Sequence, residues 1–196
     1  MQYARLLATI AAVGIAASAA HAQSQTIATF ADPSAGTPAL FTFNGSTLVG
    51  GWSGAGLNLL TPGLIAPDYN NATFSMSPVA AVPVGPPGFY NTGPGAVSFF
   101  DVFNNPLLTI SFSSGSLSTA IFGASDFSAN NVVFSGPILG GATLSSEAFS
   151  FAFANQVGSP SAFTATSSFT SSAVIPAPGA FALVGLGGLA AFRRRR

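Results

Sequence analysis

The residues able to do chemistry in this chain are few. It has 196 residues with a single histidine, His21, no cysteine, and only five basic side chains, Arg5 and Arg193–Arg196. All five acids, Asp32, Asp68, Asp101, Asp126 and Glu147, fall between Gln23 and Ile175, a stretch without Lys, Arg, His or Cys. A hydrolytic triad needs a base beside its nucleophile, and this stretch offers many serines but neither His nor Lys. Zinc and copper sites draw on His or Cys, which are also missing. A pair of carboxyls can cleave a glycosidic bond when one is held protonated, yet no spacing among the five selects a pair. Turn-forming Asp is the ordinary account of most of them. No catalytic residue, metal site or cofactor is assigned. Calcium is the metal these oxygen ligands would suit, in "PDYNNAT" (Asp68, Asn70, Asn71) or "SDFSANN" (Asp126, Asn130, Asn131), but neither has the spacing of a calcium loop.

Neutral recognition is the chemistry that remains. Trp52, Tyr69 and Tyr90 lie in stretches rich in Gly, Pro and Asn, where an exposed ring would stack on a sugar. These three are the candidate glycan contacts, and packing against the ends of a fold with the polar atom in water is the competing account. Asn44-Gly45-Ser46 and Asn71-Ala72-Thr73 match the N-glycosylation acceptor pattern. Nucleic acid is excluded as a partner of this stretch, since that binding needs basic side chains to displace counterions.

The elements that must position these residues read as strands. "LLTISFSS" sets Leu108, Ile110 and Phe112 against Thr109, Ser111 and Ser113; "AFSFAFA" repeats the period with Phe149, Phe151 and Phe153. "SAFTATSSFT" places Phe163, Ala165 and Phe169 opposite Thr164, Thr166, Ser168 and Thr170. Alternation of this kind marks strands with one buried face. Asn44-Gly45, between two such runs, predicts a tight hairpin. Further strands are expected at 25–31, 72–77, 96–103, 116–122 and 131–135, with a long loop from Pro78 to Gly95. About ten short strands with polar outer faces predict an all-β, antiparallel, jelly-roll-like β-sandwich. With 19 Phe in the chain, the core is expected to be aromatic. No repeat period supports a solenoid.

The two ends carry different signals. "MQYARLLATIAAVGIAASAAHA" joins an early Arg5, an apolar run and the small-x-small pattern Ala20-His21-Ala22. It reads as a signal peptide, cut by signal peptidase between Ala22 and Gln23. The other end, "VIPAPGAFALVGLGGLAAFRRRR", holds four of the five basic residues. Its apolar run, Ala180–Phe192, is 13 residues long and spans only about 20 Å as a helix. Counting back to Ala173 gives enough length to cross a bilayer with the prolines at the interface. Arg193, Arg194, Arg195 and Arg196 then stay cytoplasmic and act as a membrane stop. Gly185, Gly187 and Ala190 match a dinucleotide-binding pattern, but six residues after Ala190 leave no room for the fold it needs.

Those three ordered parts resemble the PEP-CTERM sorting signal. They are a Pro-x-Pro motif, a short Gly/Ala/Leu-rich helix and terminal arginines. The motif here is Pro176-Ala177-Pro178-Gly179, with Ala177 where the family pattern has glutamate. The resemblance covers about an eighth of the chain and leaves the body unaccounted for. It implies processing by an exosortase-like membrane enzyme, transient residence in the inner membrane, and release to the cell surface or extracellular matrix. The expected organisation is a signal peptide (1–22), a β-sandwich body (23–170), a linker with the sorting motif (171–179), and a short transmembrane sorting helix with its Arg cluster (180–196). The expected protein is non-enzymatic and exported. A carbohydrate-binding module acting on extracellular polysaccharide is the alternative.

Overall fold

The computed structural model describes residues 24–30, 39–120 and 124–175. Asp32, the cleavage pattern Ala20–Gln23, the motif Pro176–Gly179, the apolar run after it and Arg193–Arg196 lie outside the described residues.

Strands follow one another almost without interruption: β1 (Ser24–Phe30), β2 (Phe41–Phe43), β3 (Thr47–Trp52), β4 (Thr73–Pro83), β5 (Phe89–Thr92), β6 (Gly95–Phe100), β7 (Pro106–Phe112), β8 (Ser114–Ser118), β9 (Asp126–Asn130), β10 (Val133–Ser135), β11 (Ser145–Ser159) and β12 (Ala162–Val174). A 3-10 turn at Pro137–Leu139 follows β10. The expected all-β, antiparallel class holds. The strands form one twelve-stranded sheet in the order β10-β7-β6-β4-β3-β2-β12-β11-β9-β8-β5, with β1 beside β12. Because β5 also pairs with β4, the run from β4 round to β5 closes on itself, and the sheet is barrel-like.

β4 makes this closure by changing partner midway. The first half of β4 pairs with β6, Phe74 opposite Phe99, and its second half pairs with β5, Ala81 opposite Thr92. At the changeover Val49 faces both Ser77 and Pro78 in a bulge. Proline has no N–H for the ladder, so it is tolerated where the ladder breaks. The Ser77 hydroxyl supplies the missing pairing by accepting from the Ala96 N–H at 2.9 Å. β12 makes the corresponding change, from β2 at Phe163–Ala165 to β1 at Phe169–Val174. β1 bulges at Ile27 there, and Ser171 Oγ fills the gap by accepting from Ala28 N at 3.0 Å and donating to Ala28 O at 2.9 Å.

The predicted period sets the core. Phe149, Phe151 and Phe153 are buried while Ser150, Ala152 and Ala154 face water. Thr166, expected on the wet face, is buried as well, because the Asn155 amide closes over its hydroxyl at 2.9 Å. Ring contacts run without a gap from Phe112 and Phe127 through Phe149, Phe169 and Phe99 to Phe30. They continue through Phe74, Phe41, Phe153, Phe163 and Phe43 to Tyr90. Offset and edge-on pairs of this kind add to the burial of the rings themselves.

Three expectations need correction. The stretch Pro78–Gly95 is not one long loop: it contains the second half of β4 and all of β5. Its prolines hid the strands, although Pro78 sits at a bulge, Pro83 ends β4, and Pro86, Pro87 and Pro94 lie between strands. β9 covers residues, 126–130, for which no strand is expected, because it shows little alternation beyond Phe127. Finally β12 runs to Val174, paired with Ser24 on one side and Ser145 on the other. Only Ile175 therefore separates the sheet from Pro176.

Candidate functional site

The sheet has two ends of different character. Ser159–Ala162 turn the β11–β12 hairpin at one end, and Ser24 pairs with Val174 toward the other. The intervening path along β12 is about 40 Å at the usual strand rise.

At the hairpin end lies a cleft of about 540 Å³, lined by Pro83, Pro86, Pro87, Pro160, Tyr90, Thr119 and Ser161, with Gly85, Gly88 and Ala120 between them. One wall is the β4–β5 loop, closed by Val84 N donating to Phe89 O at 2.9 Å. Gly88 anchors this loop. Its carbonyl accepts from Thr119 N at 2.6 Å, and a Cβ there would meet the Ala120 backbone at 2.7 Å. Its φ of +92° also excludes ordinary side chains. The floor is Tyr90, whose ring meets Phe43 edge-on at 5.0 Å between centroids. The opposite wall is the hairpin turn, where the Ser159 and Ser161 hydroxyls lie 3.0 Å apart. Proline rings, one tyrosine and hydroxyls line the cleft, and no acid, base or cation is among them. Such a lining binds neutral, extended molecules through apolar contact and a few hydrogen bonds.

The structure does not bring the three candidate aromatics together. Trp52 pairs across from Phe74 at the start of β4, whereas Tyr90 pairs across from Pro83 at its end, about 30 Å away along the strand. Trp52 is half-buried, and Gly54 lies so close over its ring that a Cβ there would come within 2.9 Å of Cζ2. Tyr69 is also half-buried, its backbone bridged to Leu59 by two 2.9 Å hydrogen bonds. Tyr90 retains 8 % of its surface exposed. The prolines that complete the cleft are legible in "VPVGPPGFY", but only the turn before Pro160 shows that another proline joins them.

Asp68, Asp101 and Glu147 are occupied with their own turns and neighbours. Asp101 Oδ1 accepts from Phe103 N and Asn105 N at 2.8 Å each, and Asn105 Nδ2 donates to Oδ2 at 2.9 Å. The Asn105 side-chain bond, more than the two backbone bonds, holds the Asp101 carboxyl below the ordinary aspartate value. Asp68 accepts from Thr61 N at 2.8 Å, and Glu147 accepts from Phe134 N at 3.2 Å. In the two stretches considered for calcium, Asn71 accepts from Gly56 N, while Asn130 and Asn131 donate to Ser114 and Ser113. Among the described residues no three acids gather into a group that could hold a metal, and no helix is long and apolar enough to cross a membrane.

Fold and site together define an all-β, barrel-like protein with an aromatic interior and a neutral cleft among the described residues. No protein-family model matches the chain, and no curated protein or solved structure matches it.

Proposed function

We propose that the chain is an exported, non-catalytic bacterial surface or extracellular-matrix protein, sorted by a PEP-CTERM-like tail. The observation that carries this reading is the ordered tail: Pro176-Ala177-Pro178-Gly179, the apolar run Ala180–Phe192 and Arg193–Arg196. An export signal at the other end, cut before Gln23, completes it. Signal peptidase and an exosortase-like enzyme are its processing partners, and the inner membrane holds it between the two cuts. The body supports a structural role, because the Asp68, Asp101 and Glu147 carboxylates serve backbone N–H groups and no acid or base lines the cleft. We read the barrel-like sheet as a flattened, jelly-roll-like sandwich, with β10-β7-β6-β4-β3 facing β1-β12-β11-β9-β8 across the phenylalanines.

The neutral cleft favours a second reading, a carbohydrate-binding module. Tyr90 and the prolines would contact the apolar face of a sugar, and the hydroxyl of Ser161 its edge. Binding of this kind depends little on salt, since screening acts on charge–charge attraction.

The test is the mass of the protein in surface and medium fractions. The wild type should lose both ends. Deletion of Arg193–Arg196 should abolish trimming near Pro176–Gly179, and unchanged maturation of that variant rejects the sorting reading. Saturable, salt-insensitive binding to the host's own exopolysaccharide, lost in Tyr90→Ala of intact fold, would move the function to the glycan-binding reading.

A further inference from the structure

We infer that the end of the body from which the tail departs is a membrane-docking rim, with Ile65 and Phe103 as its apolar tips and the surface of a zwitterionic bilayer as its partner. The inference rests on the sorting reading of the tail.

The reach of the chain comes first. β12 stays hydrogen-bonded through Val174, opposite Ser24 and Ser145. From Val174 to Ala180, where the apolar run starts, there are six residue steps. Fully extended they cover at most about 20 Å. The headgroup layer on one side of a bilayer already takes about 5–8 Å of that. While the tail is in the membrane, the Val174 end of the sheet can stand no more than about 12–15 Å above the headgroup surface.

The residues at that end fit the contact. The loop Thr61–Asp68 folds back on itself. Thr61 Oγ1 donates toward Ala66 O at 3.0 Å and Pro67 O at 3.1 Å, Leu64 N donates to Thr61 O at 3.0 Å, and Asp68 accepts from Thr61 N. Gly63 sits so tightly against the Thr26 carbonyl of β1 that no Cβ would fit, and Thr26 pairs with Ser172, two residues before the exit. This fixed loop holds Ile65 fully in solvent, at 106 % relative exposure. Phe103 is reached from the other side of the core. Phe99 stacks on Phe169 at 5.2 Å, and from that level β6 runs on to the Asp101 turn as β12 runs on to Val174. That turn, pinned by the Asp101 carboxylate, presents Phe103 at 82 % exposure beside Val102. Ile65 and Phe103 are the two most exposed large apolar side chains among the described residues, and apolar tips on fixed turns cost little ordering on insertion. The body has no cation to attract acidic headgroups, and both turns carry an aspartate. The rim therefore prefers neutral phosphatidylcholine to anionic lipid.

The experiment uses the exported chain, Gln23–Arg196, in phosphatidylcholine vesicles, so that the apolar run before Ala20 cannot hold it. Because the protein has no cysteine, Ile65→Cys, Phe103→Cys and, at the hairpin end, Val157→Cys can each carry one environment-sensitive fluorophore. Flotation that survives a carbonate wash shows that the tail holds the chain. Probes at 65 and 103 should shift to the blue and be quenched by bromine-labelled lipid chains, while the probe at 157 reads as in water. Without a label, the sole tryptophan, Trp52, should lose its own bromolipid quenching when Ile65→Ser and Phe103→Ser are combined. A chain that floats with all three probes in water and unchanged Trp52 quenching overturns the docking rim and leaves the tail reading standing. A chain that does not float removes the tail reading and the rim with it.

Discussion

The two ends of the sheet solve the same problem, how to stop a strand and start the next, with different chemistry. At the Ser24–Val174 end, aspartate side chains fold the loops: Asp68 takes the Thr61 N–H and Asp101 takes two N–H groups of its own turn. At the hairpin end no carboxylate folds the loops: neutral Asn44 and Ser159 side chains take turn N–H groups, and Gly88 with the prolines at 83, 86, 87 and 160 forms the walls. A side-chain cap leaves the tip residues of the turn free, so Ile65 and Phe103 can point outward. Proline and glycine turns instead build a wall, and the wall encloses a cleft. One end is suited to touching a surface and the other to holding a small neutral group.

Both ends depend on one interior. Phe169 touches Phe30, Phe99, Phe149 and Phe151 just where β12 changes from β2 to β1. The largest predicted effect is therefore at this ring. Phe169→Ala should cost about 3–5 kcal/mol and lower the urea midpoint of the whole sheet. Trp52 fluorescence and far-ultraviolet circular dichroism should shift together. If the Trp52 transition moved alone, the ends would be separate folding units and the shared core would be the wrong description.

A smaller change should separate the ends. Gly88→Ala forces a side chain onto a φ of +92° and against Ala120, a strain of about 1–3 kcal/mol. The loss belongs to the cleft. Stability should fall by less than in Phe169→Ala, and any exopolysaccharide binding should weaken. The bromolipid quenching at positions 65 and 103 should stay as in the wild type. A loss of lipid contact in Gly88→Ala would show that the ends are coupled through the sheet.

How much of this the sequence disclosed follows from where its signals are local. The two-residue period of "AFSFAFA" placed Phe149, Phe151 and Phe153 inside, because alternation depends only on one strand's pleat. Asn44-Gly45 marked its hairpin, where the Asn44 amide oxygen accepts from Ser46 N and Thr47 N. Barrel-like closure was not legible, since it depends on β4 serving both β6 and β5 along its length, and no local pattern encodes a second partner. Pro78 even argued against a strand, yet its missing N–H falls at the point where β4 changes neighbours. The cleft was half legible: Tyr90 was singled out, but Pro160 lies 70 residues further along and only the closed sheet brings it near. The expected linker at 171–174 failed for a similar reason. Ser171 and Ser172 look like linker residues, although Ser171 is fully buried and serves the β1 bulge.

The smallest effect expected is also the one that tells the ends apart by pH. Asp101 is held below the ordinary aspartate value first by the Asn105 side chain and then by the Asn105 and Phe103 backbone N–H groups. A carboxyl whose folded value is depressed stabilises the folded turn at any pH above its unfolded value. It loses that contribution as pH falls through the folded value. The Asp101 turn should thus stay intact through the range in which an ordinary aspartate protonates, and loosen only in more acid solution. Carbon NMR of the Asp101 carboxyl should show a midpoint below that of a free aspartate, moving upward in Asn105→Ala because the leading bond is gone. The probe at Phe103→Cys should lose part of its bromolipid quenching as pH falls through the same midpoint, and at a higher pH in the Asn105→Ala background. No carboxylate lines the cleft, so its geometry should not respond over that interval. An Asp101 midpoint unmoved by Asn105→Ala would mean that the side-chain bond does not hold the turn, and the contrast between a carboxylate-built end and a proline-built end would lose its clearest measurable consequence.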